Sequence, residues 1–145
     1  MAGNDVVHVV DDDVDVRKSL GFLLGTADFA VRLHESATAF LSTATGQIDG
    51  CIVTDVRMPG IDGIEFLRQL RMRSHTLPVI VMTGHADVAL AVQAMKEGAS
   101  DFIEKPFDDQ VLIDAIRSAL DNRDQVGATH PQSAEIHARL ATLSE

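Results

Sequence analysis

The stretch VVHVVDDD at residues 6–13 is an apolar run that ends in three aspartates. Three later apolar runs also end in polar residues: CIVTD at 51–55, VIVMTG at 79–84 and DFIEKP at 101–106. Short apolar runs that alternate with helical patterns are typical of buried parallel strands. Because the carboxyl ends of parallel strands lie along one edge of a sheet, the residues that follow them meet there. The sequence therefore predicts a single site of acids, a hydroxyl and an ammonium at that edge.

The segments between these runs carry helical patterns. Apolar residues at 16, 20, 23, 24 and 27 recur at the spacing of one helix face, and residues 29–33 alternate as a strand near the sheet edge does. Ser36, Asp62 and Asp87 stand where helix N-caps are expected. The order is a strand and a helix repeated five times through about Arg123, which predicts an α/β fold with helices on both faces of a parallel sheet.

The bulk composition narrows the class of protein. A chain of 145 residues suits one domain with a core and a tail. Its 22 acidic against 12 basic residues argue that this chain does not bind nucleic acid by itself. No apolar run approaches the roughly 20 residues that span a bilayer, and the start MAGND does not resemble a signal peptide. Its single cysteine, Cys51, is predicted to lie in the core. We expect a cytoplasmic protein without membrane contact.

The patterns divide the chain into three parts. Residues 1–123 form the predicted α/β domain. Residues 124–133 contain Gly127 and Pro131 and have no apolar period, which is typical of a linker. Residues 134–145 place Ile136, Leu140 and Leu143 at helical spacing, so a further short helix is expected there.

The acidic residues indicate a metal site. On its own, the trio at residues 11–13 fits a solvated loop and a helix N-cap as well as a functional site. Asp55, at the end of a second core strand, favours the functional site over the solvated loop. Carboxylates a few ångströms apart repel by about 1–4 kcal/mol per pair, so a bound divalent cation is expected to neutralise them. An oxygen-only ligand set favours Mg²⁺ over zinc.

A metal beside a carboxylate, a hydroxyl and a lysine indicates phosphoryl transfer. Asp55 would attack in line and form an aspartyl phosphate. Lys105 and Mg²⁺ would offset charge on the phosphoryl oxygens, and the Thr83 hydroxyl could reach one of them. Taken singly, Lys105 could be a solvated loop cation and Thr83 a loop cap. Their occurrence at successive strand ends favours one shared site.

The motifs VDDD (10–13), VTDVRMPG (53–60), VMTG (81–84) and EKPF (104–107) resemble those of two-component response-regulator receiver domains, and the resemblance covers residues 5–123. It implies a flavodoxin-like (CheY-like) doubly wound sheet of five parallel strands in the order 2-1-3-4-5 with five helices. It also implies a phosphorylation-dependent signalling switch rather than an enzyme, with a sensor histidine kinase as phosphoryl donor. A cis Lys105-Pro106 peptide bond is expected as well.

The resemblance assigns roles to individual residues. Asp55 corresponds to the phospho-acceptor, and Asp11, Asp12 and Asp55 correspond to the carboxylates that hold Mg²⁺, together with the backbone carbonyl of Arg57. Thr83 and Lys105 correspond to the switch hydroxyl and the phosphate-binding lysine. Phe102 stands at the position of the aromatic switch residue, where many relatives have tyrosine.

Further motifs narrow the resemblance to FixJ-type transcriptional activators: RKSL (17–20), TGHADV (83–88), AMKEGA (94–99) and DFIEKPF (101–107). In that group a linker and a LuxR-type helix-turn-helix domain follow the receiver. Residues 134–145 resemble the lead-in to such a domain. DNA binding is therefore expected only through a C-terminal domain that would follow Glu145.

The predicted helix over residues 88–97 is apolar nearly all round, whereas a surface helix needs only one apolar stripe. In the predicted helix over residues 108–122, Val111 and Ile113 lie off the inner face. We expect phosphorylation to draw Thr83 toward Asp55, shift the loop over residues 84–87 and reorient the helix over residues 88–97. A homodimer would then form through the two helices. The alternative is that the alanines at 89, 91 and 94 are there only as strong helix formers.

Two other functions fit part of the sequence. A haloacid-dehalogenase-type phosphatase also uses an aspartyl phosphate and Mg²⁺, with Asp11 as nucleophile and Thr83 as its second-motif hydroxyl. Against it, Asp15 stands where that motif has Thr or Val, and no paired acids follow the lysine. A phosphate-independent interaction module on the same scaffold is the third possibility, and the intact acidic site argues against it.

Overall fold

The structure is a computed structural model that describes residues 5–43, 48–58, 60–73, 75–84 and 87–128, with side chains up to residue 122. The helix expected over residues 134–145 lies outside the described residues. Among the residues described, no helix combines the length and the apolar character that crossing a membrane requires.

Five strands alternate with five helices along the chain. The strands are β1 (Val6–Val10), β2 (Ala30–His34), β3 (Cys51–Asp55), β4 (Val79–Thr83) and β5 (Asp101–Glu104). The helices are α1 (Val14–Thr26), α2 (Ala37–Thr43), α3 (Gly63–Met72), α4 (Val88–Lys96) and α5 (Asp109–Ala128).

All strands are parallel and lie in the order β2-β1-β3-β4-β5, which confirms the predicted fold. The register aligns the carboxyl ends of the three central strands. Val10 lies opposite Thr54, and Asp55 lies opposite Met82. The residues at the ends of these strands are therefore brought to the same edge of the sheet.

Both faces of the sheet are covered, so strand side chains enter two cores alternately. Val9, Val53 and Met82 pack with α1 and α5. Ile52 and Val81 pack with α2, α3 and α4. Cys51 is fully buried with the first group, as its apolar run predicted.

Local signals set the start of three helices. The Asp13 side chain accepts hydrogen bonds from the Asp15 and Val16 backbone N–H groups at the start of α1. The Asp62 side chain accepts one from the Glu65 N–H at the start of α3. The Ser36 hydroxyl accepts one from the N–H of Ala39 in α2. These contacts are N-caps of the kind that short polar side chains form.

Three expectations about the helices were wrong. Asp87 stands at the N-cap position of α4 but forms no capping bond there, because its carboxylate pairs with Arg57. Ile113 is buried in the core rather than turned outward, since the buried face of α5 is wider than predicted. Helix α5 continues to Ala128, so residues 124–128 of the predicted linker are helical. An isolated glycine such as Gly127 disfavours a helix by only about 1 kcal/mol and need not end it.

Candidate functional site

Three carboxylates converge at the carboxyl edge of the sheet. Asp11, directly after β1, Asp12 and Asp55 each offer an oxygen within 4.8 Å of the others. The pairing of β1 with β3 brings the two strand ends together. Asp13, the third member of the acidic run, turns away to cap α1. The acidic run thus divides between the site and the helix.

Asp11 is the buried member of the cluster, with 1% of its surface exposed. Its Oδ1 accepts a hydrogen bond from the Asp13 N–H at 2.9 Å, and its Oδ2 has no partner among the residues described. The pKa of Asp11 is raised overall, mainly because the carboxyl group is buried. The hydrogen bond from the Asp13 N–H offsets part of this rise, and the nearby Asp55 carboxylate adds to it. Arg17 fixes the loop by donating to the Asp11 carbonyl at 2.7 Å. An unpaired buried carboxylate oxygen favours a cation at this position.

Asp55 is more accessible, with a side chain that is 16% exposed. Its Oδ2 accepts a hydrogen bond from Nζ of Lys105 at 3.1 Å, and its Oδ1 lies 3.4 Å from the backbone N of Arg57. Lys105 is held in turn by its own N–H, which donates to the Thr83 carbonyl at 2.7 Å. The Lys105-Pro106 peptide bond is cis, as predicted.

The cluster has the properties of a site for a hard cation. Three carboxylates lie near one described ammonium, so like-charge repulsion of about 1–4 kcal/mol per pair is incompletely offset. The donors are oxygens, which suit Mg²⁺. The unpaired Oδ2 of Asp11 supplies one coordination point that no described protein donor occupies. The residues present therefore fit a magnesium ion.

The loop after β3 is packed tightly against the start of α3. The Gly63 N–H donates to the Val56 carbonyl at 2.9 Å. A Cβ atom at Gly63 would lie 2.9 Å from the Asp55 carbonyl oxygen and 2.9 Å from Cα of Val56. Because both neighbours are backbone atoms, only glycine fits here without moving the loop that carries Asp55 and Arg57.

Two residues predicted for the site are not bonded to the carboxylates. Thr83 is fully buried at the end of β4, and its Oγ1 has no hydrogen-bond partner in the described part of the chain. Phe102 lies on the neighbouring strand β5, with its ring partly exposed. The structure thus joins Lys105 to Asp55 and leaves the Thr83 hydroxyl unpaired.

The sequence analysis missed a contact between Arg57 and Asp87. Nε and Nη2 of Arg57 each lie 2.8 Å from Oδ1 of Asp87. The partners are 30 residues apart in sequence and meet only because β3 and β4 are adjacent. No local pattern could have indicated the pair, and the cap position of Asp87 pointed to a different use.

Residues 7–117 match the family described as the response regulator receiver domain. The transcriptional regulatory protein FixJ of Azorhizobium caulinodans is 52% identical over 139 residues, which are 96% of this chain and 66% of that protein. The crystal structure of FixJ-N is similar with a TM-score of 0.77 at 53% identity, covering 81% of this chain and 94% of that one. Full-length FixJ from B. japonicum is similar with a TM-score of 0.83 at 46% identity, covering 95% of this chain and 68% of that one.

The chain spans about two thirds of the length of the curated FixJ relatives. These matches favour a receiver and give no support to the phosphatase alternative. The matched range, residues 7–117, spans the three carboxylates, Thr83 and Lys105.

Proposed function

The chain belongs to the response regulator receiver family, and from that premise we propose that it is the phosphorylation-dependent switch of a FixJ-type transcriptional regulator. One observation carries the proposal: the carboxylates of Asp11, Asp12 and Asp55 lie within 4.8 Å of one another, with Lys105 on Asp55. A signalling domain with this arrangement can take up and hold a phosphoryl group.

Asp55 is the proposed acceptor and a phosphohistidine of a sensor kinase the proposed donor. An Asp55 carboxylate oxygen attacks phosphorus, the O–P bond forms and the P–N bond breaks. The histidine ring takes up one proton from solvent and so leaves as neutral imidazole. Asp55 suits this role better than Asp11, because it is 16% exposed while Asp11 is buried and bonded to the Asp13 N–H. Lys105 then shifts from the carboxylate to a phosphoryl oxygen and offsets its charge.

Asp11, Asp12, Asp55 and the backbone carbonyl of Arg57 are the proposed ligands of Mg²⁺. When bound, the ion would offset the charge of the carboxylates and of the transferring phosphoryl group. The buried, unpaired Oδ2 of Asp11 supports this set. Gly63 supports it indirectly, since its close packing fixes the loop that carries Arg57.

The proposed docking surface for the kinase is a groove beside Lys105, between α1 and the loop that precedes α5. Phe22, Leu23 and Phe107 line its apolar wall. Phe22 is 77% exposed, which is high for so large an apolar side chain. A partner helix packed there would lie next to Asp55, because Lys105 lines the groove and contacts Asp55.

The proposed output is a homodimer formed through the helices of residues 88–97 and 108–122. Their surface and β5 expose a set of large apolar residues: Val88, Val92, Met95, Phe102 and Val111. Thr83 would bond to a phosphoryl oxygen and shift the start of α4. Moving an equilibrium from 1:99 to 99:1 needs about 5.5 kcal/mol, and one charge-assisted hydrogen bond contributes about 1.5–3 kcal/mol, so dimer contacts must supply the rest.

The remaining parts of the proposal concern the longer protein. The receiver, whose last helix continues to Ala128, would be followed by a linker and a LuxR-type helix-turn-helix domain that binds DNA. Full-length FixJ, of which this chain covers 68%, supports the presence of a further domain. The receiver itself would contact DNA only through that domain, in keeping with its net charge of −10.

Mapping the phosphoryl group by mass spectrometry tests the proposal. We expect incubation with a small acyl phosphate and Mg²⁺ to label Asp55 in the wild-type chain and in the Asp15→Asn control, and to leave Asp55→Asn unlabelled. A label on Asp11 would overturn the proposal in favour of the phosphatase. Unchanged partner binding by Asp55→Asn would instead favour the phosphate-independent module.

A further inference from the structure

The loop after β3 and the start of α4 are tied together by the ion pair between Arg57 and Asp87, a contact that the proposed chemistry does not use. Nε and Nη2 of Arg57 both lie 2.8 Å from Oδ1 of Asp87. The Asp87 side chain is 10% exposed and the Arg57 side chain 69% exposed. The acid is therefore held by the fold, while the arginine is free on its solvent side to move to another anion.

The Asp87 carboxylate has a second use in reach. Asp87 occupies the N-cap position of α4, where an aspartate normally accepts a hydrogen bond from an N–H of the first helical turn. Its backbone, at φ −109° and ψ 27°, lacks the extended conformation of the capping residues Asp13 and Asp62. In this state the Asp87 carboxylate pairs with Arg57 through Oδ1 and does not cap α4.

Arg57 is also close to the proposed phospho-acceptor. Its backbone N lies 3.4 Å from Oδ1 of Asp55, so its side chain starts beside the acidic cluster. A phosphoryl group carries about −1.5 to −2 charges at neutral pH and forms strong charge-assisted bonds with guanidinium groups. Such a group on Asp55 would compete with Asp87 for Arg57.

We propose that the Arg57–Asp87 ion pair is a latch that holds α4 in its resting position. Negative charge added at Asp55 draws Arg57 away, and the released Asp87 carboxylate then caps α4 in its activated position. This inference rests on the proposed function. The side chains of Arg57 and Asp87 act as positioning groups, since neither reacts.

The test compares variants by sedimentation velocity while beryllofluoride, a phosphoryl mimic, is titrated in the presence of Mg²⁺. Asparagine caps helices about as well as aspartate but carries no charge. We expect Asp87→Asn to lower the beryllofluoride concentration for half-maximal dimerisation by about twofold to fivefold, the range that loss of one partly exposed ion pair allows. Asp87→Ala should give a smaller decrease, because it loses the cap as well as the pair.

Two further variants isolate the pair. Arg57→Gln keeps the backbone but loses both the ion pair with Asp87 and the bond to the phosphoryl mimic, so it should show a smaller gain than Asp87→Asn or none. Adding Asp87→Asn to Arg57→Gln should change nothing further, because the pair is already lost. Glu97→Gln is the matched control, because it breaks the ion pair of Arg68 with Glu97, which also joins α3 to the end of α4. That change should leave the half-maximal concentration unaltered.

The possible outcomes distinguish the proposed function from the latch. Wild-type protein that neither binds beryllofluoride nor dimerises would overturn the proposed function and the latch with it. A wild-type response combined with no gain in Asp87→Asn, or with strictly additive effects of Asp87→Asn and Arg57→Gln, would overturn the latch alone. An equal gain in Asp87→Ala and Asp87→Asn would overturn the capping step.

Discussion

Thr54 and Thr83 are fully buried threonines on neighbouring strands, and their hydroxyls differ in hydrogen bonding. The Thr54 hydroxyl donates to the Asp55 carbonyl at 3.1 Å. The Thr83 hydroxyl has no partner within the described residues. A buried polar group without a partner costs about 1–3 kcal/mol of stability. The unpaired hydroxyl of Thr83 is therefore consistent with the proposed switch role, in which its partner, a phosphoryl oxygen, arrives on activation.

Replacing Thr83 with valine should separate stability from signalling. We expect Thr83→Val to raise the free energy of unfolding by about 0.5–1.5 kcal/mol, since it removes the unpaired hydroxyl at similar volume. The same change should abolish dimerisation in response to beryllofluoride. Urea unfolding and sedimentation velocity measure the two effects. Thr54→Val is the control and should lower the free energy of unfolding by about 0.5–1.5 kcal/mol. Equal destabilisation by both variants would contradict the unpaired state of Thr83.

At the scale of elements, two histidines join β1 to β2 beneath α2. Nδ1 of His8 lies 3.2 Å from Nε2 of His34, and Nε2 of His8 lies 3.1 Å from the Asp49 carbonyl oxygen. Because a carbonyl only accepts, the proton of neutral His8 is on Nε2, and His34 donates to Nδ1 of His8. The ring of Phe40 packs edge-on against both. Both hydrogen bonds form with the two rings neutral.

This pair predicts a stability that depends on pH. Burial lowers the pKa of His8, and burial with the charges of His8 and Arg32 lowers the pKa of His34 from 6.5 to about 4. The unfolded chain then binds more protons than the folded one below about pH 6.5, so the free energy of unfolding falls as the pH decreases toward 4. Because His34 is partly exposed, the effect is reduced, and we expect the free energy of unfolding to fall by about 1–2 kcal/mol over this pH range.

His34→Gln is the comparison, because glutamine can donate to His8 without titrating. The wild-type free energy of unfolding should fall more steeply than that of His34→Gln between about pH 6.5 and 4 in urea titrations. The difference between the two proteins removes the contribution of Asp11, whose raised pKa acts in the opposite sense at low pH. Parallel curves would show that His34 does not titrate as the fold implies.

The elements also show how far sequence patterns reach. Ser36 and Asp62 were predicted as helix starts because a cap and its N–H partner lie within three residues. The proximity of Asp11 and Asp55 was predictable because the carboxyl ends of parallel strands meet at one edge of a sheet, whatever side chains they carry. The Asp87–Arg57 and His8–His34 contacts depend on strand register, so the sequence indicated neither. Ile113 was wrongly expected on the outer face, because the prediction assumed a single narrow apolar stripe and the buried face of α5 is wider than that.

At the scale of the whole molecule, the proposed input surface is centred on α1 and the proposed output surface on α4. The groove proposed for the kinase lies along α1, where Phe22 is exposed. The surface proposed for the dimer includes Val92 on α4, whose buried residue Ala94 belongs to the core on the other face of the sheet. If the two functions are separate, one charged substitution on each surface should remove one function and leave the other.

Phe22→Glu and Val92→Glu therefore form a reciprocal test. Both positions are exposed on helices, so a glutamate should fold in place with little loss of stability. We expect Phe22→Glu to slow phosphotransfer from the kinase by about tenfold or more, because a buried charge in a helix-packing groove opposes docking, while beryllofluoride still produces dimers. Val92→Glu should accept phosphate at the wild-type rate and remain monomeric. Rapid-quench phosphotransfer and sedimentation velocity measure the two properties. Loss of both properties in either variant would mean that the two surfaces overlap, and α4 could then signal only after the kinase had dissociated.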